Sequence, residues 1–274
     1  MKAAYLGPQG SFSEEAAHRY FSEVNHEWLP CDSIVDVLEA VGEGAADKGI
    51  VPIENSIEGT INMTADGLLT YNLFVEAELI FPVSLHLLTK EHASLQDIRE
   101  VWSIVPALAQ CRELIRTNKL KTRQFDSTSS AAQAVMNQER HDVAAIASHA
   151  AAKLFGLHIA KSGIQDNENN HTRFIVVSKE NNVQHQERTK TMLLISPTED
   201  YSGVLSSILN VFTALSINLT WIESRPTKKQ LGTYHFFIEA QKGMHDDRMK
   251  KAVSILQAFG HEVSVLGSYH TTKL

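Results

Sequence analysis

Apolar runs of strand length alternate with amphipathic stretches of helical period through roughly the first two thirds of the chain. This alternation predicts an α/β fold in which helices cover both faces of a parallel sheet. The first predicted elements are a strand at Lys2–Leu6, a helix at Ser13–Phe21, a strand at Glu27–Cys31, a helix at Ser33–Val41, a strand at Lys48–Ile53 and a helix at Thr60–Leu69. Together they form a βαβαβ unit.

A second α/β unit is predicted to begin near Val75. Its elements are a long strand at Leu79–Leu88, a strand at Val101–Val105, a helix starting near Pro106, a strand at Lys121–Phe125, a helix from Ala131 with a capping box of Ser130 and Gln133, a strand at Asp142–Ala147 and a helix at His149–Gly156. A last strand, Thr172–Ser178, is placed to return to the first unit. We therefore expect a first domain, residues 1–180, with two lobes around a cleft. Lobe one comprises residues 1–77 and 162–180, and lobe two comprises residues 78–161.

The pattern changes after the second unit. Asn181 to Arg188 is polar apart from Val183 and is predicted to be a linker. Residues 190–274 then show the order strand–helix–strand–strand–helix–strand, which predicts a compact α+β domain with the ferredoxin-like βαββαβ topology.

Composition narrows the class of protein. The 274 residues carry a formal net charge of −7, which argues against nucleic acid or an anionic membrane as the main partner. The sequence shows neither a signal-peptide pattern nor an apolar run of transmembrane length. Cys31 and Cys111 are far apart and lack metal-ligand spacing, so we expect reduced thiols, a cytoplasmic location and no metal site.

A polar cluster, Asn169 to Arg173, leads directly into the last predicted strand. Open α/β sheets bind ligands at such strand ends. Side chains alternate along a strand, so Thr172 and Phe174 share one face and Arg173 lies on the other. From spacing alone, the more frequent explanation of Thr172 is a β-branched residue that starts a strand, and that of Arg173 is a surface or lobe-bridging ion pair.

Three further segments join a strand to a helix with hydroxyl and amide side chains. They are Gly7 to Ser13, Glu54 to Thr60 and Asp126 to Ser130. Side chains and helix amides at such junctions bind anions, although turn and cap chemistry alone also explains them. In a two-lobed layout they predict a site that binds a carboxylated small molecule with neutral donors.

These motifs together resemble a known family. The segments Gly7-Pro8-Gln9-Gly10-Ser11-Phe12-Ser13, Val51-Pro52-Ile53-Glu54-Asn55-Ser56 and Asp126-Ser127-Thr128-Ser129-Ser130, and the Thr-Arg-Phe motif at Thr172, are similar to those of the monofunctional prephenate dehydratases. The C-terminal domain resembles an ACT regulatory domain, with Gly203-Val204-Leu205 and Glu223-Ser224-Arg225-Pro226 at the positions of its motifs. The resemblance extends over essentially the whole chain.

The resemblance implies a carbon–oxygen lyase of phenylalanine biosynthesis that converts prephenate to phenylpyruvate, water and carbon dioxide without a cofactor. It implies a catalytic domain like the periplasmic binding proteins in fold. Thr172 would serve the departing hydroxyl. The other catalytic positions are Asn55, Glu54, Ser103 and Gln110, and the substrate-binding positions are Ser11, Ser56, Ser127, Thr128, Ser129, Arg173 and Phe174.

The resemblance also implies feedback inhibition by L-phenylalanine, bound between ACT domains of a homodimer or a dimer of dimers. The effector-binding positions are Gly203, Val204, Leu205, Asn218, Glu223, Ser224, Arg225 and Pro226. Where the family has alanine, this chain has Val204, whose extra methyl groups would tighten the effector pocket. The alternatives are a two-lobed small-molecule binding protein without turnover, and an arogenate dehydratase.

Overall fold

The computed structural model describes residues 1–21, 26–91, 93–181, 188–199, 201–228 and 230–273. Within these ranges the chain forms three sheets with helices packed on them. Most of the predicted linker, residues 182–187, lies outside the described residues. The described helices include none that is long and apolar enough to cross a membrane.

Lobe one is built around a seven-stranded sheet. Its strands are β1 (Lys2–Leu6), β2 (Glu27–Cys31), β3 (Lys48–Asn55), β4 (Gly59–Thr60), β5 (Phe74–Pro82), β11 (His171–Ser178) and β16 (Thr271–Lys273), and its helices are α1 (Phe12–Tyr20), α2 (Ile34–Gly42) and α3 (Asn62–Thr70). The strand order is β16-β5-β11-β3-β1-β2, with β4 paired to β3.

Helices cover both faces of this sheet, as the pattern predicts. Tyr5 and Phe174 pack with α1 on one face, whereas Val51 and Ile175 pack with α2 and α3 on the other. The sheet is mixed rather than parallel, because β11 runs antiparallel to both β3 and β5. The return of the last strand to the first unit is confirmed.

Lobe two contains a five-stranded sheet of order β10-β6-β9-β7-β8. Its strands are β6 (His86–Thr89), β7 (Glu100–Ser103), β8 (Lys121–Gln124), β9 (Val143–Ala147) and β10 (His158–Lys161), and its helices are α4 (Val105–Ala109), α5 (Arg112–Thr117), α6 (Thr128–Met136) and α7 (His149–Phe155).

Two predictions about lobe two are wrong. The single strand at Leu79–Leu88 is two strands, since β5 ends at Pro82 in the first sheet and β6 starts at His86 in the second. The chain therefore crosses to lobe two after Pro82, later than the predicted boundary between residues 77 and 78. Helix α6 begins earlier than expected, because Ser127, not Ser130, is its N-cap and the two serines form the capping box.

The C-terminal unit has the predicted element order. It consists of β12 (Lys190–Ser196), α8 (Val204–Ala214), β13 (Leu219–Pro226), β14 (Tyr234–Ala240), α9 (Asp247–Ala258) and β15 (Glu262–Tyr269). The antiparallel sheet has the order β13-β14-β12-β15. One face packs on α8 and α9 through Ile208 and Leu256.

The other face of the C-terminal sheet packs on lobe one. Met192, Phe237 and Tyr269 belong to the same buried cluster as Val75 and Ile175. After β15 the chain adds β16 beside β5, so the C-terminus completes the lobe-one sheet. The C-terminal unit therefore shares a core with the domain that precedes it.

The two sheets approach most closely at Gly267. A Cβ atom on this residue would lie 2.2 Å from the backbone oxygen of Val75. No side chain fits there without moving β15 away from β5.

We expect Gly267→Ala to lower the free energy of unfolding by about 1–3 kcal/mol, because the added methyl group separates the two packed sheets. Urea denaturation of the whole chain measures the change. Asn210→Ala, at an exposed position of α8, is the control and should stay within about 0.5 kcal/mol of the original protein. A Gly267→Ala variant as stable as this control would contradict the close packing.

Candidate active site

A cleft of about 510 Å³ lies between the two lobes. Lobe one lines it with the loop before α1, with Asn55 and with Thr172. Lobe two lines it with Gln110 and with the start of α6. Sites for small molecules usually have this size and position.

Thr172 and Asn55 are direct neighbours across the pairing of β11 with β3. The Asn55 Nδ2 group donates a hydrogen bond to Thr172 Oγ1 at 3.0 Å. Asn55 is itself held in place, because its Oδ1 accepts from the backbone amides of Ile57 at 2.9 Å and Glu58 at 3.1 Å. The Thr172 oxygen thus accepts a fixed hydrogen bond, and its own proton remains available toward the cleft.

The polar chain continues from Thr172 into lobe two. Asn55 Nδ2 also donates to Asn170 Oδ1 at 3.0 Å, and Asn170 Nδ2 donates to Gln110 Oε1 at 2.7 Å. The backbone of Gln110 is also held in place, since its main-chain carbonyl oxygen accepts a hydrogen bond from the backbone amide of Asp166 at 2.6 Å. One amide network therefore connects the lobes along the edge of the cleft.

Helices α1 and α6 both begin at the cleft, one from each lobe. Among the described residues, no protein acceptor faces the backbone amides of Phe12, Ser13, Thr128 and Ser129. No lysine or arginine is found among the described residues that line the cleft. An anion in this cleft would thus be bound by helix amides and neutral side chains.

Six predicted residues are brought together at the cleft. They are Thr172, Asn55, Gln110, Ser11, Ser127 and Thr128. The hydroxyls of Ser11 and Ser127 accept from helix amides at Glu14 and Ser130, so they orient α1 and α6.

Other predicted residues lie outside the cleft lining. Ser103 is fully buried, and its hydroxyl donates to the Ile146 carbonyl oxygen at 2.6 Å. Ser129 donates to the Gln9 carbonyl oxygen and joins the lobes, and Ser56 donates to the Asn169 carbonyl oxygen at 3.0 Å. Phe174 is a core residue that packs edge-on against Phe81. These four have structural contacts outside the cleft lining, and their catalytic or substrate-binding roles stay predictions.

Arg173 and Glu54 also face away from the cleft. They are paired across β11 and β3 on the opposite face from Thr172 and Asn55, and Arg173 Nη1 lies 3.4 Å from Glu54 Oε2. Arg173 also forms ion pairs with Glu78 and Glu239. Arg173 is thus buried in ion pairs within lobe one and to the C-terminal unit, outside the cleft lining, and its role in substrate binding stays a prediction.

The predicted effector residues do not form one site within a single chain. Gly203 and Val204 begin α8, whereas Asn218 follows the end of that helix and donates to Gln241 Oε1 at 3.0 Å. Arg225 instead forms a bidentate ion pair with Asp66 of α3, with hydrogen bonds of 2.8 and 3.0 Å. Its guanidinium connects the C-terminal unit to lobe one.

Asn170 and Ser13 are among the cleft residues that were not selected from the sequence. Asn170 is buried at the centre of the amide network, and Ser13 lines the cleft in the first turn of α1. Both lay in segments singled out for their polarity, but local pattern does not say which of several neighbouring polar residues points inward.

Neither a thiol nor a metal cluster competes with this polar site. Burial raises the pKa of the Cys111 thiol to about 12, so it stays protonated although it adjoins Gln110. Within the described residues, no three histidine, cysteine or acidic side chains are grouped as metal ligands would be.

Comparison with known protein families gives a match over the two lobes. The sequence model of the prephenate dehydratase family matches residues 3–182, which include both lobes. A prephenate dehydratase of Lactococcus lactis is 38% identical over 98% of this chain and 97% of its own. The chloroplastic arogenate dehydratase/prephenate dehydratase 2 of Arabidopsis thaliana is 34% identical over 98% of this chain and 72% of its own.

Two solved structures superpose on nearly the whole length of this chain. The prephenate dehydratase of Staphylococcus aureus superposes with a TM-score of 0.89 at 37% identity, over 98% of this chain and 100% of its own. That of Arthrobacter aurescens, solved in complex with L-Phe, gives 0.87 at 32% identity, over 98% and 90%. By sequence and by fold, the chain belongs to the prephenate dehydratase family.

Proposed function

We propose that the cleft converts prephenate to phenylpyruvate, and that Thr172 donates a hydrogen bond to the hydroxyl group that leaves. The observation that supports this role is the hydrogen bond from Asn55 Nδ2 to Thr172 Oγ1. The Thr172 oxygen accepts from a fixed amide, and no described residue accepts its proton. The hydroxyl can therefore turn its proton toward the cleft, where the leaving group would lie.

The chemistry explains why such a donor matters. The bond from the ring to its carboxylate breaks and releases carbon dioxide, and the electron pair moves into the ring. The C4–oxygen bond breaks at the other end of the ring, and the departing oxygen leaves as water once it has gained a proton. Hydroxide is a poor leaving group, so a donor placed at that oxygen stabilises the transition state.

The two helix starts suit the anionic groups of this substrate. Amides at the beginning of α1 and α6 are free of protein acceptors and come from opposite lobes. A dicarboxylate bound between them would draw the lobes together and exclude water from the reacting ring.

Thr172→Val should lower kcat by roughly 10²–10⁴-fold, because it removes the proton donor and keeps the shape of the side chain. Formation of phenylpyruvate by the purified protein measures the change. Thr172→Ser keeps a hydroxyl at the same position and is the matched control, with a much smaller loss expected. If a folded Thr172→Val protein turns over prephenate at the original rate, Thr172 is not the donor.

Arogenate is a second candidate substrate, favoured by one feature of the cleft. Exposed carboxylates at Asp32, Glu58 and Asp126 line it, and arogenate carries an ammonium group where prephenate has a keto group. Negative side chains attract that ammonium group and not the keto group.

We expect Asp32→Asn to lower kcat/KM for arogenate by roughly fivefold relative to prephenate, the effect of about 1 kcal/mol of lost attraction. Parallel assays with both substrates on the same preparation measure this ratio. An equal change for the two substrates would show that Asp32 does not distinguish them.

The C-terminal unit is proposed to be an ACT domain that binds L-phenylalanine as a feedback inhibitor. Its βαββαβ topology and the glycine at the N-cap of α8 support this assignment, as does the L-Phe complex of the Arthrobacter aurescens relative. Gly203 and Asn218 lie at opposite ends of α8, so a site containing both requires two chains. A homodimer, or a dimer of such dimers, would supply them.

Val204→Glu should weaken L-phenylalanine binding roughly tenfold or more, because a second carboxylate at the start of α8 repels that of the ligand. Calorimetry on the whole chain measures the affinity. Asn210→Glu, at an exposed position of the same helix, adds the same charge and should leave the affinity unchanged. Equal affinity in both variants would exclude the start of α8 from the effector site.

We also place the protein in the cytoplasm. Both cysteines are free thiols, and Cys111 is buried. Free thiols of this kind are typical of proteins in a reducing compartment.

A further inference from the structure

The pairing of β11 with β3 has two functional faces. Thr172 lies opposite Asn55, and the next pair, Arg173 opposite Glu54, points to the other side of the sheet. The first pair faces the cleft, and the second faces the C-terminal unit. Arg173 and Thr172 are therefore adjacent on one strand and serve opposite faces of the sheet.

Arg173 is held by buried carboxylates. Its side chain is 8% exposed, and it contacts Glu78 of β5 at 3.0 Å and Glu239 of β14, whose side chains are 1% and 0% exposed. Lys190 supplies a second cation, at 2.9 Å from Glu78 and 3.0 Å from Glu239. Two buried carboxylates and the partly exposed carboxylate of Glu54 thus face two cations.

Glu239 is the member of this cluster that comes from the middle of the C-terminal sheet. Its Oε2 accepts from Arg173 and from the Tyr269 hydroxyl at 2.5 Å, and its Oε1 accepts from Thr220 and Lys190. Burial opposes ionisation, but attraction to Arg173 and Lys190 outweighs it and holds the pKa of Glu239 below its usual value. The carboxylate is ionised and fixed on both oxygens.

The end of β11 is paired regularly on one edge only, because the register with β5 is unbroken from His171 to Val176 whereas the register with β3 is interrupted beside Thr172. The pairing with β3 shifts register between Arg173 and Phe174, since Arg173 pairs with Glu54 and Phe174 with Pro52. Such a bulge re-aims the side chains next to it and is common beside active sites. Arg173 and Thr172 lie on the outer side of this shift, where the ion pairs to Glu78 and Glu239 supply an additional constraint.

We propose that Glu239 is a positioning residue for the reaction, which acts through Arg173 to hold Thr172 in its productive orientation. The inference rests on the proposed role of Thr172. It makes the C-terminal unit part of the catalytic apparatus even without an effector. A movement of the C-terminal unit would then displace Arg173 and, with it, Thr172.

The test is steady-state kinetics of Glu239→Gln in the whole chain. Loss of the charge should release Arg173 and lower kcat about 10- to 100-fold, the range expected when a reacting group is misplaced by about 1 Å. KM for prephenate should change less than kcat, because Glu239 does not line the cleft. Circular dichroism and denaturation establish that the variant is folded.

Arg173→Lys is the second variant, because removing one partner of a buried ion pair can unfold a protein. Lysine keeps the positive charge, so the buried carboxylates still face a cation. Its single ammonium group cannot contact Glu78 and Glu239 at the same time, as the guanidinium group of arginine does. We expect the same loss of kcat with nearly unchanged KM.

Asp66→Asn is the matched control. It breaks the ion pairs of Asp66 with Arg225 and Lys228, which also join the C-terminal unit to lobe one, at a site on α3 that does not line the cleft. It should lower thermal stability and leave kcat unchanged. If it lowers kcat as much as Glu239→Gln does, general loosening of the C-terminal unit is the cause and the inference is overturned.

A double-mutant cycle separates positioning from a purely structural effect. In a Thr172→Val background, Glu239→Gln should change kcat by less than about twofold, because its effect passes through the missing hydroxyl. Independent, multiplicative losses would overturn the inference, as would a folded Glu239→Gln with the original kcat. If the unsubstituted protein does not turn over prephenate at all, the proposed function fails and this inference with it.

Discussion

Strand β11 is hydrogen-bonded along both edges, to β3 on one side and β5 on the other, and the arrangement of the whole protein depends on that pairing. The strand joins the sheet only after the chain has passed through lobe two. Its two neighbours, β3 and β5, come earlier in the chain and lie on either side of it. Insertion at the centre of the sheet fixes Thr172 beside Asn55 and closes lobe one around the crossing to lobe two.

The pairing of β11 with β3 also places the charged Arg173 on the face of the sheet opposite to the cleft. Arg173 lies behind the sheet and is neutralised by carboxylates, so its field is largely cancelled before it reaches the cleft. The cleft itself offers helix amides, hydroxyls and carboxamides. Such donors bind an anion without a mobile cation and stay fixed while charge moves through the substrate, which is the condition for electrostatic stabilisation of a transition state.

Burying charges behind the sheet has an energetic cost that the ion pairs only offset. Removing a carboxylate from water costs several kcal/mol, and an apolar replacement of the whole cluster is often no less stable. The cluster of Arg173, Glu78, Glu239 and Lys190 is better understood as a geometric constraint than as a source of stability. It permits one register between the C-terminal sheet and β11, because any other leaves a buried charge without its partner.

The sequence by itself determined the secondary structure of both lobes, the ferredoxin-like order of the C-terminal unit and the polar segments around the cleft. Each of these follows from local physics, since hydrophobic period, caps and strand-end polarity are properties of neighbouring residues. Thr172 and Asn55 could be selected in this way, whereas Gln110 was indicated only by the family resemblance. The break between β5 and β6 could not be predicted, because a continuous apolar run is equally compatible with one long strand and with two strands in adjoining sheets.

Only the tertiary structure decided which of the polar residues face the cleft. Arg173 adjoins Thr172 in the Thr-Arg-Phe motif, yet its partners Glu78 and Glu239 are distant in sequence, and they draw it away from the cleft. Ser103 and Ser129 likewise bond to distant carbonyl oxygens at Ile146 and Gln9. A local pattern gives a residue its strand and its alternation, whereas the partner that satisfies its charge or hydroxyl is chosen by packing between elements far apart in the chain.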